Sequence, residues 1–130
     1  MQLDKEALIN YRFERSLETI TEAEQAIQNN HLHLAANRIY YSIFYAVSAF
    51  SIKNNFSTSK HSTLLSWFNQ EFVKKNVASQ ELGNIYNKAF QNRMKGDYDD
   101  LIVFSKESIV ENFNQMKLFV KEIKELVEKG

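Results

Sequence analysis

The sequence predicts an all-α protein, an antiparallel up-and-down four-helix bundle with one additional shorter helix. Three observations predict it. Proline is absent and glycine occurs only at Gly83, Gly96 and Gly130, too few for the turns of a β-sandwich or for a phosphate-cradling glycine loop. Apolar residues recur at spacings of three and four through long stretches of the chain, the period of a helix with one buried face. The 130 residues suffice for one hydrophobic core and not for two, so residues 1–130 read as a single domain.

The first helix is expected from about Asp4 to Gln28, with Asp4 as N-cap. Its stripe is Phe13, Leu17, Ile20, Ala23 and Ile27. Asn29 and Asn30 stop it, because asparagine tolerates left-handed backbone. The second runs from about His33 to Lys53. One stripe holds Ala35, Ala36, Ile39, Tyr40, Ile43, Phe44, Val47 and Phe50, and another holds Asn37, Tyr41, Tyr45 and Ser48. A helix apolar or aromatic around most of its circumference belongs at the centre of a bundle.

The third helix is expected from Ser59 to Lys75, burying Leu64, Leu65, Phe68, Phe72 and Val73, with Lys74 and Lys75 in a last turn that suits positive charge. The fourth starts with Ser79 as N-cap and buries Leu82, Ile85, Tyr86, Ala89 and Phe90. The next step of that stripe is Arg93, so this arginine stands in line with the apolar face. Gly96 is expected to end the helix, and Asp97–Tyr98–Asp99–Asp100 to form a corner. The fifth, from about Ser105 to Lys129, carries Ile109, Phe113, Met116, Val120, Ile123 and Val127 at alternating spacings of four and three, a heptad-like seam.

Composition excludes several functions. Lys and Arg total 16 and Asp and Glu total 16, so nucleic acid or an anionic membrane is not held by bulk charge. A basic excess lies on residues 31–75, with Arg38, Lys53, Lys60, Lys74 and Lys75 against Glu71. Cysteine is absent, which removes disulfides, thiolate nucleophiles and cysteine-ligated metals. His31, His33 and His61 have no carboxylate at ligand spacing, so neither a metal nor a cofactor is expected. The N-terminal residues lack the apolar run of a signal peptide, and no stretch is apolar enough to span a bilayer. A cytoplasmic location is expected.

The chemistry-bearing constellation is Arg93–Met94–Lys95–Gly96–Asp97–Tyr98. A planar guanidinium suits phosphate, and buried without a partner it is costly. Two readings stand open: Arg93 pairs with Asp97 and closes the helix while Tyr98 packs into the bundle, or Arg93 is the phosphate ligand of a groove. Lys60 and His61 open the third helix, either as cap and packing residues or as phosphate contacts.

The run Arg38–Ile39–Tyr40–Tyr41–Ser42–Ile43–Phe44–Tyr45–Ala46, then Lys60–His61, then Phe68 and Glu71–Phe72–Val73–Lys74, then Arg93 with Asp97–Tyr98, resembles the HEPN domain (higher eukaryotes and prokaryotes nucleotide-binding). It is most similar to small stand-alone prokaryotic members with an Arg-x-x-x-Asp-Tyr corner, over nearly the whole chain. The resemblance implies a homodimer that binds nucleotide or RNA, with Arg93 as the phosphate ligand; Lys60 and His61 at the helix start and Arg38 in the basic excess are the further candidate phosphate-binding residues. It implies a toxin–antitoxin pairing with a minimal nucleotidyltransferase, which would modify Tyr98. It also implies, as an alternative, a metal-independent ribonuclease with Arg93, Asp97 and Tyr98 as catalytic residues. In that family an arginine holds the scissile phosphate and a histidine a few residues on moves the proton. Here no histidine follows His61. A non-catalytic protein-interaction module is the third expectation.

Overall fold

The computed structural model describes residues 2–129, with side chains described from residue 4. Five α-helices follow one another: α1 (Gln2–Gln28), α2 (Leu32–Lys53), α3 (His61–Phe68), α4 (Gln80–Tyr98) and α5 (Lys106–Lys129), with a π-helical turn, Asn69–Val73, continuing α3. The expected bundle is therefore present. Helix α2 packs against α1, α3, α4 and α5, the central position that its nearly all-round apolar surface requires. No described helix is long and apolar enough to cross a membrane.

Three of the connections turn at an asparagine. Asn30, Asn55 and Asn76 have φ of 58°, 62° and 62°, left-handed geometry that asparagine accepts more readily than most side-chain-bearing residues. Each follows a helical segment, so three chain reversals are built without glycine. Ser79 caps α4 as its sequence implies, its hydroxyl accepting from the Leu82 N–H at 3.3 Å. The α5 seam is fully buried from Ile109 to Val127.

Several elements depart from the sequence expectation. Helix α1 begins at Gln2, so Asp4 lies in its first turn and is not the N-cap; its carboxylate still suits the positive end of the helix dipole. Leu17, expected on the buried stripe, is 48% exposed. Ser16 and Thr19 are buried in its stead. The Ser16 hydroxyl donates to the Ser42 carbonyl at 2.7 Å, and the small side chains of both helices allow that approach. Helix α3 ends at Phe68 and not at Lys75. The wider turn that follows has the Lys74 N–H donating to the Asn69 carbonyl at 2.8 Å, a five-residue step. That turn sets Phe72 against Phe50, with centroids 4.5 Å apart.

Gly96 does not end α4, which continues to Tyr98. Asp97 and Tyr98 are therefore helical residues, and the corner begins at Asp99. Gly96 serves close approach instead: a Cβ there would lie 3.2 Å from the Phe104 ring.

Candidate anion site on α2, α3 and α4

Because α4 runs one turn past Arg93, Arg93 and Asp97 face the same way, four residues apart. Arg93 Nε donates to Asp97 Oδ2 at 3.0 Å, and the two side chains are 15% and 28% exposed. The other side of the site comes from α2. Asn37 Nδ2 donates to both Asp97 oxygens, at 3.4 and 3.3 Å. Asn37 Oδ1 accepts from Arg38 Nε and Nη2 at 3.0 and 2.7 Å. Arg38 Nη1 then reaches Glu22 on α1 at 3.0 Å. A continuous polar chain, Glu22–Arg38–Asn37–Asp97–Arg93, thus ties three helices together.

Two tyrosine rings floor the arginine. The Arg93 guanidinium carbon lies 5.4 Å from the Tyr40 centroid and 5.5 Å from that of Tyr41, within cation–π range. Its Nη2 donates to the Tyr41 hydroxyl at 3.4 Å, a long bond. Nη1 meets only the Met94 sulfur, at 3.9 Å. The Arg93–Asp97 pair of the first reading is therefore present. Asp97 occupies one edge of the fork, while Nη1 donates to no oxygen among the described residues.

His61, the first residue of α3, enters the same cluster. Its ring stacks on Phe44 at 4.3 Å and 9° and lies 5.6 Å from both Tyr40 and Tyr41. Its Nδ1 is 2.7 Å from the Tyr40 hydroxyl. Burial, and then the positive charge of Arg93, hold the imidazole below its ordinary pKa of 6.5. Burial likewise pushes the Tyr40 phenol well above its usual range.

Of the expected site residues, the structure brings together Arg93, Asp97, Arg38 and His61. Lys60 is exposed and immediately precedes α3; its own N–H donates to Thr58 Oγ1 at 3.1 Å, and its ammonium has no recorded bond to the cluster. Tyr98 is 73% exposed, so it does not pack into the bundle. Its neighbours across the corner, Leu101 and Val103, are 89% and 87% exposed. His33 braces that corner, with Nδ1 3.3 Å from the Gly96 carbonyl and Nε2 2.9 Å from that of Ile102. A groove of about 370 Å³ lies along Arg38, lined also by Glu22, Gln25, Asn29, His31 and Leu34. Arg93 does not line it. Among the described residues no three His, Cys, Asp or Glu side chains gather as a metal site.

Sequence reasoning missed Asn37, Tyr40, Tyr41 and Phe44 as site residues. The available signal was the polar stripe Asn37–Tyr41–Tyr45 on a helix otherwise suited to burial on all sides.

Known proteins share this arrangement of sequence. A family model described as the HEPN domain matches residues 9–126. A Thermotoga maritima protein named "UPF0332 protein" is 40% identical over 125 residues, covering 96% of this chain and 95% of its own. A Methanocaldococcus jannaschii protein named "Putative toxin MJ0142" is 31% identical over 125 residues, covering 90% of this chain and 85% of its own.

Proposed function

The chain belongs to the HEPN domain family, and from that membership we propose that it is a toxin-type protein that binds the phosphate of a nucleotide or RNA at Arg93. One observation carries the reading: a largely buried guanidinium, braced by Asp97 at one edge and by two aromatic faces, keeps Nη1 without an oxygen partner. An arginine so held is pre-organised, and a phosphate oxygen completes its fork. The toxin character is supported by the name of the Methanocaldococcus relative.

The exposed corner after α4 is our choice for the partner surface. Tyr98 offers a reachable hydroxyl there for a minimal nucleotidyltransferase, and Leu101 and Val103 offer apolar contact. The protein would act as a cytoplasmic homodimer in such a pair.

A second reading, metal-independent RNA cleavage, is favoured by His61 standing beside the Arg93 cluster where the motif histidine is missing. Asp97 and Tyr98 are poor substitutes: the first is engaged by Arg93 and Asn37, and the second is exposed.

Fluorescence polarisation with a short labelled RNA separates these readings, read alongside the length of the RNA on a gel. Binding that disappears in Arg93→Ala with the RNA intact supports the phosphate-binding reading. Cleavage that persists with chelator and stops in Arg93→Ala selects the nuclease. Equal RNA binding by wild type and Arg93→Ala removes the site from both.

A further inference from the structure

The Tyr40 hydroxyl is buried, on a residue 0% exposed, and its one hydrogen-bond partner among the described residues is His61 Nδ1 at 2.7 Å. That bond has two possible directions. If Nδ1–H donates to the phenol oxygen, the phenol's own hydrogen is left buried with nothing to meet. A buried unpaired donor carries its full desolvation cost. If the phenol donates to Nδ1, both atoms are satisfied, and a neutral imidazole then carries its single proton on Nε2. The second direction is the one that leaves no orphan.

Nε2 has no recorded protein partner, and it is not among the buried unpaired atoms of the described residues. It is therefore open to solvent or ligand. The groups that bear on this ring are few. Helix α2 presents Tyr40, Tyr41 and Phe44, α4 contributes the charge of Arg93, and no carboxylate is among the influences on it. Nothing nearby favours a second proton.

We propose that Tyr40 fixes the His61 ring with its proton on Nε2, making that N–H a second donor, beside the Arg93 guanidinium, for the oxygens of a bound phosphate. This rests on the phosphate-binding reading above and deepens it. His61 in this state donates a hydrogen bond and has no lone pair at Nε2 to take a proton, so it acts as a ligand-binding residue and not as a general base. Tyr40 is a positioning residue: it acts on the ligand only through the tautomer of His61.

The tautomer is read directly by long-range ¹H–¹⁵N correlation on the full chain at a pH above the imidazole titration, with His61 assigned by its loss in His61→Gln. The expected pattern is a protonated Nε2 and an unprotonated, hydrogen-bonded Nδ1. Tyr40→Phe should move the Nδ1 resonance. A protonated Nδ1 in the wild type overturns the proposal.

Titration with inorganic phosphate, followed by amide shifts, tests the donor role. His61→Leu should weaken binding by about tenfold, the loss of one hydrogen bond to a charged group. His61→Gln, which keeps an N–H donor of similar reach, should restore most of it. Phosphate binding lost in Arg93→Ala but unchanged in His61→Leu overturns the His61 role and leaves the site reading intact. Binding that survives Arg93→Ala, or is absent from the wild type, overturns the site reading and the donor role together.

Discussion

Helices α2 and α3 meet through two clusters of rings, and the clusters have opposite characters. Near the start of α3, His61, Phe44, Tyr40 and Tyr41 gather under the Arg93 guanidinium. Further along, Phe50, Trp67 and Phe72 pack together, and Phe56 lies flat on Trp67 at 5.0 Å and 4°. Phe68 extends this second group to Tyr86 and Phe119. The first cluster places a polar atom at the end of nearly every ring. The second is hydrocarbon except for the indole N–H of Trp67 and the hydroxyl of Tyr86, which is buried with no partner among the described residues. The same two helices thus build a polar-tipped cluster at one end and a largely apolar one at the other. Two clusters of similar aromatic content therefore differ in the atoms at their ring tips and in what those atoms pair with.

The largest loss of stability is expected in the second cluster. Phe68 is 0% exposed, and Phe68→Ala should destabilise the fold by about 3–5 kcal/mol through lost burial and a cavity. Denaturant unfolding followed by the fluorescence of Trp67, the single tryptophan, measures this. Phosphate affinity of the remaining folded protein should be unchanged.

The two buried tyrosines give a sharper contrast. Tyr40→Phe leaves His61 Nδ1 without its donor and should lower stability by about 1–2 kcal/mol. Tyr86→Phe removes an unpaired hydroxyl and should be neutral or stabilising. Equal losses from both substitutions would mean that the Tyr40–His61 bond contributes nothing specific.

Acidity provides a third distinction. His61 is held below its ordinary pKa of 6.5 in the folded state, so the unfolded chain binds the proton more readily. As pH falls below about 6.5, this group therefore reduces stability, and the loss levels off below the folded-state pKa. His61→Gln should remove that component from the pH dependence of thermal unfolding; an unchanged profile would show that His61 is not its source.

A small stability effect is expected at Asp97. Its pair with Arg93 is open to solvent on one side, so Asp97→Asn should cost under about 1 kcal/mol. The same change withdraws a negative charge from the anion site, and phosphate binding should tighten. Weakened binding would mean that Asp97 orients the fork more than it competes for it.

Much of the bundle was legible in the sequence because it is written in large apolar residues. The α5 seam from Ile109 to Val127 and the Ser79 cap stand where periodicity and capping chemistry put them. The α1–α2 interface was legible only in part: Ala23 is buried on the expected stripe, but Ser16 and Thr19 are buried where Leu17 was expected, because their small size matters more than their hydropathy. Gly96 misled for a related reason: it makes room for the Phe104 ring and does not turn the chain. In the site, the Arg93–Asp97 pair was one of two open readings of the sequence, and it is the run of α4 past Gly96 that gives it helical spacing. Asn37 reaches Asp97 across 60 residues and Tyr40 reaches His61 across 21, and such contacts exist only once the helices are packed.

The most direct test of the central claim is a calorimetric titration with a nucleoside monophosphate at fixed, moderate salt, on the wild type and on Arg93→Ala matched for folded content. Saturable binding in the wild type and none in the variant is the result predicted. Identical isotherms from the two proteins would contradict it.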